Sequence, residues 1–308
     1  MSFLTEKTAI ITGGGRSVLE DGQCGSIGYG IATAYAKEGA NLVLTGRNLQ
    51  KLTEAKEELE TKYQIKVLAI QADVNENADN EAVITSVVQQ AADTFGRIDV
   101  LINNAQASAS GVPLAQHTTE QFNLAMYSGL YSTFYYMKAC YPYLKETRGS
   151  VINFASGAGL FGNFGQASYA AAKEGIRGMS RVAATEWAAD GINVNVVCPL
   201  AWTAQLDHFW KKDPDAFVKN VKMPPAGHYA NSETEIGRAC VLLAHPDFKY
   251  MTGETITLEA VSYTHLNESS SFILDTSCTK PKAVTWVGII IIIKMKVKIA
   301  FFPGKLYA

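Results

Sequence analysis

The sequence is poor in charge, in cysteine and in long apolar runs. Only 18% of its 308 residues are Asp, Glu, Lys or Arg, and they nearly cancel to a net charge of −2. A nucleic-acid or anionic-membrane binder needs a basic surplus to meet phosphates. None is present, so neither partner is expected. The five cysteines, Cys24, Cys140, Cys198, Cys240 and Cys278, lie far apart, with no CxxC pair and no metal-ligand spacing. No metal site is expected, and an odd, scattered set reads as reduced thiols in a cytoplasmic protein. The N-terminus runs from Met1 straight into an apolar strand pattern, without a charged leader and a long apolar core, so no signal peptide is expected. The apolar run Val287–Ile293 falls far short of the ~20 residues a membrane helix needs.

What the chain has is apolar matter in a regular rhythm. Hydrophobic residues make up 47% of it, enough for a sizeable core. Short apolar runs predict strands at Thr8–Thr12, Leu42–Thr45, Val67–Gln71, Val100–Asn103, Val151–Phe154, Val194–Cys198 and Thr255–Leu258. Amphipathic stretches between them predict helices over Tyr29–Glu38, Leu49–Tyr63, Asn80–Phe95, Glu120–Leu144, Ala170–Ala189 and Glu233–Leu243. Continuous apolar strands alternating with helices imply an α/β fold, a doubly wound parallel sheet of Rossmann type, covered on both faces. Residues 1–260 read as one domain, with no repeat and no linker. Residues 200–232 break the rhythm with Trp202, Phe209, Trp210, Pro214, Pro224 and Pro225. An excursion beyond the carboxyl end of a strand is the expected place for a substrate lid.

Residues 261–308 do not match the rest. Ile289–Ile293 is a run of isoleucines with high β propensity and no pattern, an aggregation risk. Val261–Leu266 (VSYTHL) is what GTC-TCT-TAT-ACA-CAT-CTN encodes, a string similar to a transposon-end sequencing adapter. The expectation is that authentic coding sequence stops near Ala260 and that an irregular tail of chimeric or out-of-frame translation follows. The alternative is a lineage-specific extension.

After the first strand come Gly13, Gly14 and Gly15, an insert, and then Gly25-Ser26-Ile27-Gly28-Tyr29-Gly30. A strand turning through glycines into a helix lets backbone N–H groups approach a pyrophosphate, and the helix N-terminus adds favourable partial charge. A dinucleotide is the expected ligand. The second strand ends Thr45-Gly46-Arg47-Asn48. An NAD site usually places a carboxylate there, on the ribose 2′-hydroxyl. Here Arg47 is available to pair with a 2′-phosphate, and Arg16 is expected to add charge, so NADP is the expected cofactor.

Tyr169 and Lys173 stand at i, i+4, on one face of a helix. A phenol ordinarily ionises near ~10, and a neighbouring ammonium brings that down toward neutrality. Ser156, after the fifth strand, is placed to hydrogen-bond a substrate oxygen beside the phenol. Together they point to acid–base chemistry on a carbinol.

With these residues in view, the chain resembles the short-chain dehydrogenase/reductase family over residues 5–260. The resemblance rests on Thr12-Gly13, Asp73-Val74, Asn103-Asn104-Ala105, the Ser156–Tyr169–Lys173 set and Pro199–Thr203. It implies catalysis by Ser156, Tyr169 and Lys173. It implies cofactor contacts from Gly13, Ser26, Ile27, Arg47, Asp73, Val74, Asn104, Tyr169, Lys173 and Thr203. It also implies a small-molecule substrate, namely a steroid or another apolar carbonyl compound, and a homo-oligomer, commonly a tetramer, using the helix Tyr127–Tyr143. The departures are the insert Arg16–Cys24, Ser26 for a glycine, Gln106 for a glycine, Leu200 after Pro199, and Gly129 where the family often has a catalytic asparagine. The usual lysine–water–asparagine relay therefore lacks its asparagine. These departures and their flanking segments resemble one subgroup, the NADP-dependent 12α-hydroxysteroid dehydrogenases of clostridia. Leu160, Phe161, Trp202, Leu206, Phe209 and Trp210 would offer a steroid an apolar wall. His208, His228, Lys211 and Lys212 would meet a side-chain carboxylate. A 3-oxoacyl-thioester or other carbonyl reductase is the alternative, and a non-catalytic nucleotide-binding regulator a remote one.

Overall fold

Side chains on alternate sides of a strand need an apolar layer on each face of the sheet, and the chain supplies both. A computed structural model describes residues 2–75 and 77–260. The expectations for residues 261–308 lie outside the described residues. The strands are β1 (Thr8–Thr12), β2 (Asn41–Gly46), β3 (Val67–Gln71), β4 (Val100–Asn103), β5 (Ser150–Phe154), β6 (Asn193–Pro199) and β7 (Thr255–Leu258). They form one sheet in the order β3-β2-β1-β4-β5-β6-β7, parallel throughout. The doubly wound parallel sheet expected from the sequence is the one observed.

The helices are α1 (Ile27–Lys37), α2 (Leu49–Tyr63), α3 (Asn80–Phe95), α4 (Thr119–Ala125), α5 (Ser132–Thr147), α6 (Gly157–Phe161), α7 (Ala167–Trp187), α8 (Ala204–Lys212), α9 (Pro214–Asn220) and α10 (Arg238–Leu243). Ala9, Ile11 and Ile102 pack into one core layer with Ile31 and Tyr35 of α1, Leu52 of α2 and Cys240 of α10. Ile10 and Leu101 pack into the other with Val88 of α3, Tyr136 and Cys140 of α5 and Ala183 of α7. The strand order reverses between β1 and β4, so loops from either side part there and leave a crevice at the carboxyl ends.

Two expected helices are interrupted. Between α4 and α5 the chain makes a π-helical turn, Met126–Tyr131. Ser128 Oγ lies 2.5 Å from Leu124 O and 3.1 Å from Ala107 O, a side-chain competitor for the helix's own carbonyls. A second π-helical turn, Ser232–Gly237, leads into α10. There α1 passes so close that a Cβ on Gly30 would lie 2.3 Å from Ser232 O.

The excursion at residues 200–232 is more regular than its composition suggests, since it carries α8 and α9. Its ends are pinned together. Trp202 N donates to Ala230 O (3.0 Å) and Ala230 N to Leu200 O (3.1 Å).

Candidate active site

The cleft at the switch point has a volume of about 520 Å³. Gly13, Ser26, Ile27, Arg47, Val74, Asn104 and Thr203 all line it, as do Ser17, Gly25, Thr45, Gln106, Ser128, Tyr136 and Gln205. Gly13 has φ +74°, a left-handed conformation that favours glycine. A Cβ on Gly28 would meet Gly13 O at 2.2 Å, a backbone atom that cannot move aside. Asn104 fills the space under this turn: its Nδ2 donates to Thr12 O and its backbone N–H to Thr12 Oγ1, both 2.9 Å. Ser26 caps α1, accepting from Tyr29 N at 3.4 Å, and the first turn holds no acidic residue. A backbone cradle at an uncountered helix N-terminus fits a pyrophosphate.

The insert does not disturb this turn because it closes on itself. Val18 bridges Cys24, Leu19 N donates to Gln23 O at 2.9 Å, and Gly25 N returns to Ser17 O at 2.7 Å. It also braces the 200–232 segment: Ala204 N donates to Gly25 O at 2.7 Å, and Lys211 pairs with Glu20 at 2.7 Å.

At the ribose end, Arg47 is exposed, and its backbone carbonyl accepts from Gln71 Nε2 at 2.8 Å. Arg16 departs from the expectation of added charge. Its Nε is held 2.6 Å from Glu58 Oε2, so its charge is already countered. Asp73 is exposed and does not line the cleft, whereas Val74 next to it does. A 2′-phosphate would find the Arg47 guanidinium and no carboxylate lining the cleft.

Ser156, Tyr169 and Lys173 do not line that cavity. They follow β5, Ser156 at the start of α6 and Tyr169 and Lys173 on α7. Ser156 caps α6, accepting from Ala158 N at 3.1 Å, which leaves its hydroxyl proton to donate elsewhere. Lys173 is 3% exposed; its Nζ donates to Phe154 O at 2.7 Å and lies 5.5 Å from the centroid of the Tyr169 ring. Burial brings Lys173 down to about 7. A lysine in that range is able to give and take a proton near neutrality.

The apolar wall is partly committed to the protein itself. Trp202, Phe209 and Trp210 surround Phe217 with ring centroids 5.9, 5.6 and 5.1 Å away. Phe217 was not singled out in the sequence, although aromatic spacing around Pro214 is a signal for such a cluster. Leu160 packs against Ala155, Val196 and Cys198. Phe161 is 43% exposed and Phe164, three residues on, 83%. Two of the groups expected to meet a substrate carboxylate already have one: His228 pairs with Glu235 and Lys211 with Asp207, each at 2.9 Å. His208 and Lys212 are exposed. Among the described residues no cluster of His, Cys, Asp and Glu is placed to hold a metal ion, and no helix is long and apolar enough to cross a membrane.

Residues 22–260 match the family model described as enoyl-(acyl carrier protein) reductase. A 12α-hydroxysteroid dehydrogenase from Clostridium sp. is 64% identical over 259 residues, covering 84% of this chain and 97% of that protein. This chain belongs to the short-chain dehydrogenase/reductase family. As a family member it is an oxidoreductase that uses a nicotinamide dinucleotide and acts on a small molecule, and the resemblance read from its motifs holds. A 3-oxoacyl-[acyl-carrier-protein] reductase from Chlamydia muridarum is 31% identical over 261 residues, covering 84% of this chain and 98% of that protein. The crystal structure of a short-chain dehydrogenase/reductase from Burkholderia xenovorans matches with a TM-score of 0.75 at 27% identity, covering 85% of this chain and 98% of that one.

Proposed function

We propose that this short-chain dehydrogenase is an NADP(H)-dependent 12α-hydroxysteroid dehydrogenase, interconverting the 12α-hydroxyl of cholate-type bile acids and a 12-oxo group. The observation that carries the reading is the 64% identity to the Clostridium enzyme along nearly its whole length. In this reading Gly13, Ser26 and Ile27 hold the pyrophosphate at the start of α1, and Arg47 meets the 2′-phosphate. Asp73 and Val74 flank the adenine, Asn104 supports the glycine turn, and Thr203 stands at the nicotinamide carboxamide.

The bound nicotinamide supplies the hydride acceptor. The chain supplies the rest. Ser156 accepts from Ala158 N and so keeps its O–H proton for the carbinol oxygen. Tyr169 takes the carbinol proton. Lys173, beneath the Tyr169 ring and anchored to Phe154 O, stabilises the phenolate and holds the cofactor's nicotinamide end. Phe161, Leu206 and the rim of the aromatic cluster give a rigid apolar substrate its wall.

Residues 1–260 form the catalytic unit in this proposal. A cytoplasmic location and assembly as a homo-oligomer, a tetramer being common in the family, belong to the same reading. Tyr131 and Phe134, each more than two-fifths exposed, give the α5 region apolar surface to cover. The second reading, a 3-oxoacyl-thioester reductase, is favoured by the 31% identity to the Chlamydia muridarum reductase. Mass spectrometry of cholate incubated with NADP⁺ and the protein separates the two. A product lighter by two hydrogens, oxidised at carbon 12, is expected. Unchanged cholate, with reduction of a 3-oxoacyl thioester by NADPH, would select the second reading.

A further inference from the structure

Tyr169 stands where a helix is weakest. It is the third residue of α7, in the first turn, where backbone N–H groups have no partner within the helix. A side-chain cap ordinarily fixes such a turn, and its loss costs about 1 kcal/mol. α7 lacks one: Gln166, at the cap position, makes no capping hydrogen bond. Its Oε1 instead accepts from Ser110 Oγ at 3.2 Å. The first turn therefore takes its support from outside α7.

A strap from β4 supplies it. The strap leaves through Asn104 and Ala105, whose backbone N–H groups donate to Thr12 Oγ1 at 2.9 Å each, and passes Gln106 and Ala107 at the cofactor cleft. Ala107 is held on both sides by Ser128: its N–H donates to Oγ at 3.0 Å, and its carbonyl accepts from Oγ at 3.1 Å. The strap then runs beside the approach to α7. Gly111 N donates to Gly165 O at 2.9 Å, and Val112 pairs with Gln166 as a parallel bridge. The fit is close, since a Cβ on Gly165 would meet Gly111 C at 2.9 Å. Near its end the strap reaches the helix turn itself. His117 Nε2 lies 2.8 Å from Ser168 Oγ, and Ser168, next to Tyr169, is wholly buried.

His117 does more there than fill space. Its Nδ1 is shielded from solvent and has no partner among the described residues. An apolar side chain would avoid that cost, so packing alone does not call for a histidine. With its proton on Nε2 the neutral ring donates to Ser168 Oγ. With the proton on Nδ1 a shielded N–H would be stranded. The ring is thus a donor directed at one hydroxyl.

We infer that His117 is a positioning residue for Tyr169: by holding Ser168 Oγ it fixes the first turn of α7, and with it the distance from the phenol to the substrate carbinol. The inference rests on the alcohol-oxidising reading above, in which Tyr169 takes the carbinol proton. Rate falls steeply when reacting groups are misplaced, and a displacement of about 1 Å can cost about 100-fold. Affinity for substrate and cofactor depends far less on that distance, because the apolar wall and the glycine turn lie on other elements.

The test is a set of variants, assayed on cholate or on whichever secondary alcohol the wild type turns over. Ser168→Ala removes the acceptor with the least change of shape, alanine being a strong helix former. Its kcat should fall about tenfold, with both KM values within about twofold of wild type. His117→Leu removes the donor and should do the same. The double variant should lose no more than either single one, because one bond is removed in all three. His117→Gln carries an amide N–H to nearly the place of Nε2 and should restore most of kcat. Hydrogen exchange reads the turn without turnover. The Ala170 N–H donates to Gln166 O at 2.7 Å. It should exchange at least about tenfold faster in cofactor-free Ser168→Ala than in wild type, while amides in the middle of α7 keep their rate. Wild-type kcat and unaltered exchange in Ser168→Ala would overturn the inference. So would single-variant losses that add, a His117→Gln variant no better than His117→Leu, or a loss confined to melting temperature and KM, each of which marks packing alone. If Tyr169→Phe keeps turnover, the catalytic reading fails by itself, and the exchange result still decides whether His117 holds the turn.

Discussion

On the β1–β4 side of the cleft the groups proposed to hold the cofactor are mostly backbone: the glycine turn, the α1 N-terminus and the strand ends. On the β5–β6 side the groups proposed for catalysis and substrate are side chains: Ser156 on its cap, Tyr169 and Lys173 on α7, and the aromatic cluster of the 200–232 segment. The first side accommodates a nine-residue kind of change, the insert Arg16–Cys24, because the insert leaves and returns through Gly25 N to Ser17 O without altering the turn. Where side chains build the wall, positions do not change singly. After β4, Gln106 fills the space that a side chain on Gly129 would take, so one position reads only with the other. A backbone-built site depends on where glycines fall, and a side-chain-built site depends on which atoms share a volume.

The sharpest way to separate the two sides is Tyr169→Phe. Turnover should drop by about 10²–10⁴-fold, the span of general acid–base catalysis, while NADP⁺ binding followed by fluorescence stays intact. Loss of binding along with turnover would mean the sides are not separable. Next comes the 2′-phosphate edge. A Cβ on Gly46 has open space, its nearest neighbours 3.9 Å away, so Gly46→Asp with Arg47→Ala can be built without strain. The preference should move toward NAD⁺ by up to about 3 kcal/mol, the worth of a charge-assisted hydrogen bond. A wild type using NAD⁺ as well as NADP⁺ would remove Arg47 from its role.

Gly28→Ala probes the backbone side itself. Its Cβ would face Gly13 O, and overpacking of that kind costs about 1–3 kcal/mol. Cofactor affinity and melting temperature should fall together, while Tyr169 chemistry at saturating cofactor should survive. On the other side, Lys173 gives stability a pH dependence. Its folded value of about 7 lies below the 10.5 of an unperturbed lysine. Between those values the unfolded chain holds a proton that the folded chain has released. Stability therefore rises with pH above about 7, by on the order of 1 kcal/mol per pH unit, and the penalty of the buried charge is fully present below it. Urea denaturation of cofactor-free wild type and Lys173→Met should show wild type gaining stability relative to the variant from pH 7 to 9. A constant difference would mean Lys173 is not desolvated. The smallest effect is expected from ending the chain after Ala260, which should leave cofactor affinity unchanged.

Much of the backbone side was legible in the sequence. Apolar runs gave strand positions to within a residue or two, because a strand buried on both faces leaves few polar choices. The glycine turn was legible for the same reason: few residues take the left-handed φ of Gly13 or leave room for it as Gly28 does. The pairing of Arg16 with Glu58 was not, since it joins distant positions through an exposed helix face. The π-helical turn at Met126–Tyr131 was hidden because one inserted residue barely alters a helical pattern. The sequence exposed Gln106 and Gly129 as two separate departures. That they face each other is a fact of packing, visible only when β4 and the turn after α4 are brought together.

The central claim is tested most directly by the initial rate of NADP⁺ reduction with cholate at alkaline pH, set beside a bile acid identical but for the missing 12-hydroxyl. The account predicts rapid NADPH formation with cholate and none above background with the 12-deoxy compound. Equal rates with both, or none with either, would contradict it.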